Sequence, residues 1–328
     1  MNKKAFNLKE FLINYGVIMV MIILVIITTI KSPNFISGNN LMNLLLNMSS
    51  RLVIALGIAG CVITAGCDLS AGRMIGLGGC IAGVLLQRAD YAGKFFPNMN
   101  PMNLFAALAV VMLITAAFGS VTGFFIAFLN VPPFISTLAM MEIVYGLNLI
   151  FTNATPLGGY VESYTNLATQ RFLFIPWLIW IAIIIAAITW FIFNMTRHGK
   201  YMYAIGANPQ AAEVTGVPVK LTMILIYAKA AAFYGLAGFM LGAKSGGASV
   251  NLGLGYEMEA IAACTIGGVS VTGGRGKVSS AVVGVAVFEL LKASLQFLGV
   301  NANAQWVALG VIIYIAISLD IRKYVTKK

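Results

Sequence analysis

The stretch FLINYGVIMVMIILVIITTI, Phe11–Ile30, carries no charge in twenty residues and is interrupted only by Asn14, Tyr15, Thr28 and Thr29. A helix needs about 20 mainly apolar residues to cross the hydrocarbon core. With no water in that core, only helices and closed barrels satisfy the backbone. The stretch therefore reads as a membrane-spanning helix, and many similar runs follow it. Lys3, Lys4 and Lys9 precede it as they would an export signal. A signal core spans about 7 to 15 residues and ends at small residues, whereas this run continues to Lys31-Ser32-Pro33. It reads as a retained first span.

Composition agrees. Of 328 residues 60% are hydrophobic and 9% charged, and the mean hydropathy is +0.91, against roughly 25% charged in a soluble domain. The longest hydrophilic stretch, Arg197–Lys220, has 24 residues, fewer than the about 50 a catalytic domain needs. Nucleotide hydrolysis would have to come from another chain. The net charge of +11 does not imply a nucleic-acid partner, because the Lys and Arg residues lie between apolar runs and report orientation. Cys61, Cys67, Cys80 and Cys264 lack the spacing of a zinc site or a disulfide scaffold and read as small hydrophobes. No metal site and no cofactor are expected.

Further apolar segments fall near 41–66, 70–88, 103–130, 134–151, 173–195, 221–243, 257–270, 278–298 and 305–320, which with 11–31 makes ten. The second and third are divided only by residues 66–69, and the eighth is short and glycine-walled, so eight or nine full crossings remain open. The expected fold is an all-α integral membrane protein, a single transmembrane domain over 1–328. Short cytoplasmic loops carry the excess of Lys and Arg. Ten spans with the amino terminus inside place thirteen basic residues in the cytoplasm: Lys3, Lys4, Lys9, Arg73, Arg197, Lys200, Lys220, Arg275, Lys277, Arg322, Lys323, Lys327 and Lys328. Five fall outside (Lys31, Arg88, Lys94, Arg171 and Lys244), while Arg51, Lys229 and Lys292 lie within spans. Both termini are expected inside. Glycines four apart, at Gly72 and Gly76, Gly79 and Gly83, Gly119 and Gly123, and Gly238 and Gly242, predict close helix packing, ordinarily within one subunit.

Within Arg197–Lys220, Asn208 is a good cap, Pro209 suits the first helical position and Gly216 ends the helix before Pro218. A short capped helix on the cytoplasmic face is a peg for another protein, with a plain solvated loop as the alternative. Gly267–Gly276 predicts an irregular segment near a gate, with tight packing of the eighth and ninth spans as the alternative. Gly273-Gly274-Arg275-Gly276-Lys277 is not a phosphate loop, because Val271 and Val278 stand where that motif needs glycine and a hydroxyl. Asp68, beside Ser70, reads as an Asx cap more than an ion site. Glu142 is costly inside a span, and Lys229 or Arg51 could pair with it. Glu289 and Lys292, three apart, read as a pair on one helix face. The lone His198 reads as a surface residue. No trio of Ser, His and acid gathers in any loop, so no enzyme is expected.

Four stretches carry a resemblance. Tyr203-Ala-Ile-Gly206-x-Asn208-x-x-Ala211-Ala212-x-x-x-Gly216 resembles the coupling helix of permeases in ATP-binding-cassette sugar importers of the ribose and galactose type. Gly66-Cys67-Asp68-Leu69-Ser70-Ala71-Gly72 resembles that family's junction between the second and third spans, and Pro132–Leu138 the entry to the fifth. Tyr256–Ala263, with Gly267-Gly268-Val269-Ser270-Val271-Thr272-Gly273-Gly274-Arg275-Gly276, is the most specific. The later stretches look like the galactose/methyl-galactoside members. Tyr145-Gly146 stands where the family usually has Arg-Gly, and Ser280 where it often has Gly; the first departure leaves sugar specificity open.

The resemblance implies a bacterial plasma-membrane permease without ATPase activity. Its implied partners are an ATPase with two cassettes seated on Tyr203, Gly206, Asn208, Pro209, Ala211, Ala212 and Gly216, an extracytoplasmic sugar-binding protein, a second copy of itself and membrane lipid. Asp68, Ser70, Gly72, Gly267, Gly268, Ser270, Gly273, Gly274 and Gly276 would form gate or structural motifs. Asn47, Ser49, Thr137, Glu142 and Asn148 are candidates for the sugar path, although bonding between helices explains the neutral ones equally well. The rival class is a secondary transporter coupled to an ion gradient.

Overall fold

A computed structural model describes residues 8–325 of the chain. Among them the helices are α1 (Leu8–Lys31), α2 (Gly38–Ile63), α3 (Ala71–Leu85), α4 (Leu104–Phe128), α5 (Pro133–Thr152), α6 (Glu162–Thr169), α7 (Trp177–Met195), α8 (Arg197–Ala207), α9 (Pro209–Val214), α10 (Val219–Ser245), α11 (Tyr256–Gly267), α12 (Val278–Phe297) and α13 (Ala302–Val325). A two-residue hairpin pairs β1 (Arg171–Phe172) with β2 (Ile175–Pro176). Each of the ten apolar segments has its helix. Six helices among the described residues are long and apolar enough to cross a membrane (α2, α4, α5, α7, α10 and α12), and Met19–Lys31, α3 and Ala302–Ile315 are shorter apolar helices. Of the basic residues expected inside, Lys3, Lys4, Lys327 and Lys328 lie outside the described residues, as do the side chains of Lys9, Arg322 and Lys323.

The centre of the bundle is α10, which packs most extensively on α4, then on α3 and α2. Most of α2 and α10 is buried, whereas less than a third of α4, α5 and α7 is, and these turn Phe105, Leu113, Ile150 and Ile184 outward. Lipid is as apolar as these side chains, so close backbone contact rather than hydrophobic sorting must hold the centre together. Glycine supplies it. A Cβ on Gly119 or Gly123 would run into the α10 backbone, and one on Gly238 into the Ile75 carbonyl of α3.

The stripe Gly72, Gly76 and Gly79 does something else. It faces the carbonyls of Val250, Leu252 and Gly253 and the side chain of Leu252, in the segment between α10 and α11. The backbone it meets is mainly irregular, joined by the Glu257 side chain of α11 at Gly72 and the Gly238 carbonyl of α10 at Gly79. This segment starts at the same end of the bundle as the hairpin, where Ala248 and Leu157 exchange backbone bonds and Gln87 pairs with Tyr160. It then descends along α3, so α11 begins within the bundle. Arg73, expected toward the cytoplasmic end of the third segment, occupies the first turn of α3, where its guanidinium lies 3.8 Å from the Tyr145 ring centroid.

At the opposite end α8 and α9 form an arm, rooted where α2 stops and the 268–277 loop turns. The hydrophilic stretch thus contains two helices broken at Asn208, and α6, α8 and the hairpin had no expectation in the sequence. His198 is half-buried at the α7–α8 corner and not a plain surface residue; burial and the nearby Lys229 charge push its imidazole down to about 4. It is therefore neutral at pH 7.

Candidate functional site

The arm end is built around one close approach. Thr196 caps α8 by accepting from the Gly199 N–H at 3.2 Å, and Asn208 caps α9 by accepting from the Ala211 N–H at 2.9 Å. Pro209 fits the first position of α9, and Gly216 leaves it at φ +85°. Asn208, Pro209, Ala211 and Gly216 are exposed, as is Val214 at 89%, while Ala212 turns inward and is buried. Tyr203 and Gly206 face the bundle. The Tyr203 hydroxyl donates to the Gly276 carbonyl at 2.8 Å, and Gly206 lies so close to the end of α2 that a Cβ there would overlap the Ile63 carbonyl oxygen. The Gly274 N–H donates to that same oxygen at 2.7 Å. Arm, α2 terminus and glycine loop therefore meet at one point.

The loop combines both readings of the glycine run. Gly267 is tight packing, its missing Cβ making room for the Ser280 carbonyl of α12. From Gly268 to Gly276 the backbone is irregular, with Gly268, Gly273, Gly274 and Gly276 at positive φ. Buried Ser270 shares a hydrogen bond with the Thr272 hydroxyl at 2.9 Å.

Asp68, buried at the α2–α3 junction, accepts from the Ser70 N–H at 3.0 Å and from its hydroxyl at 2.6 Å. An Asx turn is thus present, and it fixes the residue that precedes α3. Removing the carboxylate leaves a buried N–H unpaired, at about 1–3 kcal/mol. Asp68→Ala is expected to lower membrane abundance or uptake; normal values of both, by quantitative immunoblot and tracer flux, would remove this role.

A second polar cluster lies deep between α2, α11 and α12. Arg51 pairs with Glu289, and with Glu259 at 3.4 Å; Lys292 pairs with Glu259 at 2.9 Å. Glu289 and Lys292 are thus not a pair of their own, since each reaches an ion on another helix. A lone ion in a low-dielectric interior is costly, so two cations and two anions brought together outcompete the local i,i+3 contact. Glu142 pairs with neither proposed partner. Arg51 belongs to this cluster, the Lys229 ammonium sits 4.6 Å from the Phe193 ring centroid, and Glu142 is exposed on α5 without an ion pair among the described residues.

The remaining path candidates do not converge. Asn47 accepts from Lys244, Ser49 and Thr137 bond carbonyls of their own helices, and Asn148 is buried without a hydrogen-bond partner among the described residues. The four cysteines are free, three of them buried. No group of three potential metal ligands occurs among the described residues.

A family model described as the permease component of branched-chain amino acid transport systems matches residues 40–317. The chain is similar to the galactose/methyl galactoside import permease protein of Escherichia coli K12, 41% identical over 336 residues, covering 100% of this chain and 99% of that one. The corresponding Haemophilus influenzae protein is 39% identical over 332 residues, with 99% and 98% covered. The ribose import permease protein of Escherichia coli K12 is 32% identical over 319 residues, with 96% of each covered. No solved structure matches significantly.

Proposed function

The chain belongs to the permease-component family of these transport systems, a multi-pass membrane protein and not the ATPase, and on that premise we propose that it is the membrane path of an ATP-driven sugar importer. Its partners would be an ATPase with two cassettes, an extracytoplasmic sugar-binding protein and a second copy of the chain, in a bacterial plasma membrane. Galactose or a methyl galactoside is the favoured cargo, with ribose next. Residues 1–328 would form one domain of ten spans with both termini cytoplasmic. The charge bias supports this: Arg197, Lys200, Lys220, Arg275 and Lys277 cluster at the arm end.

The observation that carries the reading is the arm itself. Its outer helix is exposed through Asn208, Pro209, Ala211 and Val214, available to a cassette. Its inner helix is tied through Tyr203 and Gly206 to Gly276 and Ile63. A push on α9 therefore reaches α2 and the glycine loop without passing through flexible chain. Different packings of the bundle would be biased by differential contacts of the ATPase with each.

Proteoliposomes test it. Galactose uptake should require the ATPase, the binding protein and ATP, and should persist when ionophores collapse all gradients. Uptake that survives omission of ATP but not of the gradients would replace this reading with a secondary transporter.

A further inference from the structure

Three short distances along separate helices converge on one depth. At 1.5 Å per residue Arg73 lies about 18 Å from the hairpin end of α3, Tyr145 about 18 Å from the start of α5, and Glu257 about 15 Å from the arm end of α11. All three positions fall well inside a hydrocarbon core of about 30 Å. The groups there are unusual for that setting. The Arg73 guanidinium stacks on Tyr145, donates to Asn251 Oδ1 at 2.9 Å and reaches the Val250 carbonyl at 3.4 Å. Asn251 is exposed, and Arg73 and Tyr145 are partly so. Glu257 is only 8% exposed, and its Oε2 has no hydrogen-bond donor among the described residues. That oxygen lies against Gly72, in the space a Cβ would fill, one residue from Arg73.

An exposed polar group and an undersatisfied buried acid at mid-depth are costly against lipid. They are accounted for if this surface lines a passage whose occupant supplies hydroxyl donors. The residue types fix the chemistry of that occupant. A carboxylate accepts from adjacent hydroxyls, a guanidinium and an amide offer planar donors, and an aromatic face takes an apolar C–H surface. A neutral polyol meets all four demands, whereas an anion would meet Glu257 and a cation would meet Arg73.

We propose that Arg73, Tyr145, Asn251 and Glu257 form a mid-membrane constriction that contacts the sugar as it passes and contributes to its selection. This rests on the sugar-importer reading above. In such a constriction Arg73 is the movable group, because its stack on Tyr145 occupies the aromatic face a sugar would use. Glu257, held by the first turn of α11 and the absence of a side chain at Gly72, is the fixed one.

The test uses the permease reconstituted with its ATPase and binding protein, with labelled D-galactose and D-ribose as probes. Asn251→Ala removes an exposed side chain and should fold normally; it and Tyr145→Ala are each expected to cut galactose uptake at least fivefold and to shift the galactose-to-ribose ratio at least threefold. Tyr145→Phe, which keeps the ring, should restore the wild-type ratio. An unchanged ratio in both alanine variants overturns the assignment, whatever happens to the absolute rates, since a structural defect slows both sugars alike. Failure of the importer reading would look different: the wild-type complex would take up neither sugar.

Discussion

Arg51→Met is expected to destabilise the bundle by about 3–5 kcal/mol, because it removes one partner of a buried ion cluster and leaves the other charged. Glu259 keeps Lys292 at 2.9 Å, but Glu289, only 4% exposed at its side chain, loses the cation it faces. Methionine retains much of the arginine stem's volume, so the loss is mainly of charge and not of packing. The double variant Arg51→Met/Glu289→Gln carries no stranded anion and should recover most of the deficit, as replacing a buried pair costs far less than breaking it. Thermal unfolding of the purified protein and its abundance in membranes measure both variants. Equal destabilisation of the single and double variants would show that Arg51 acts through packing alone.

This cluster also marks how far the sequence could be read. The ten apolar runs are legible because each is mainly apolar with at most two charges, and the Asn208-Pro209 start of α9 because a cap and a proline act locally. Position along a helix was thus available, but the direction in which a side chain faces was not. Glu289 and Lys292 had the spacing of a local pair, and nothing nearby in the chain announces Arg51 or Glu259, residues on two other helices. The glycine stripe of α3 misled in the same way. Its spacing correctly signals close approach, yet identical spacing serves a helix at Gly119 and Gly123 and a non-helical segment at Gly72 and Gly76. Charge bias assigns Arg73 a side of the membrane but not a depth or a partner. The short break at residues 66–69, followed at once by α3, sets it in the first turn of that helix. The hairpin was hidden for a further reason: Leu173 and Phe174, both at positive φ, are the wrong residues for so tight a turn.

Gly206→Ala is expected to separate ATP hydrolysis from transport. The added methyl would occupy the position of the Ile63 carbonyl oxygen, and it would come within 2.6 Å of the Gly274 amide that donates to that oxygen. Backbone cannot turn aside as a flexible side chain can, so either α8 lifts from the end of α2 or the Gly274–Ile63 hydrogen bond breaks. Overpacking of this kind costs about 1–3 kcal/mol. It falls on the contact between arm and bundle, while the exposed face of α9 is untouched. Binding of the ATPase should therefore survive, and sugar moved per ATP hydrolysed should fall about tenfold, since 1.4 kcal/mol lost from coupling is a factor of about ten. Val214→Asp makes the contrasting change. It places a charge on the 89% exposed tip of α9, leaves the root of the arm intact, and should weaken ATPase binding while preserving the stoichiometry of complexes that still form. Co-purification of the ATPase and coupled measurement of uptake and hydrolysis distinguish the two. If Gly206→Ala instead released the ATPase while Val214→Asp uncoupled it, the inner helix would be the docking surface and the outer helix the transmitter, reversing the roles drawn from their burial.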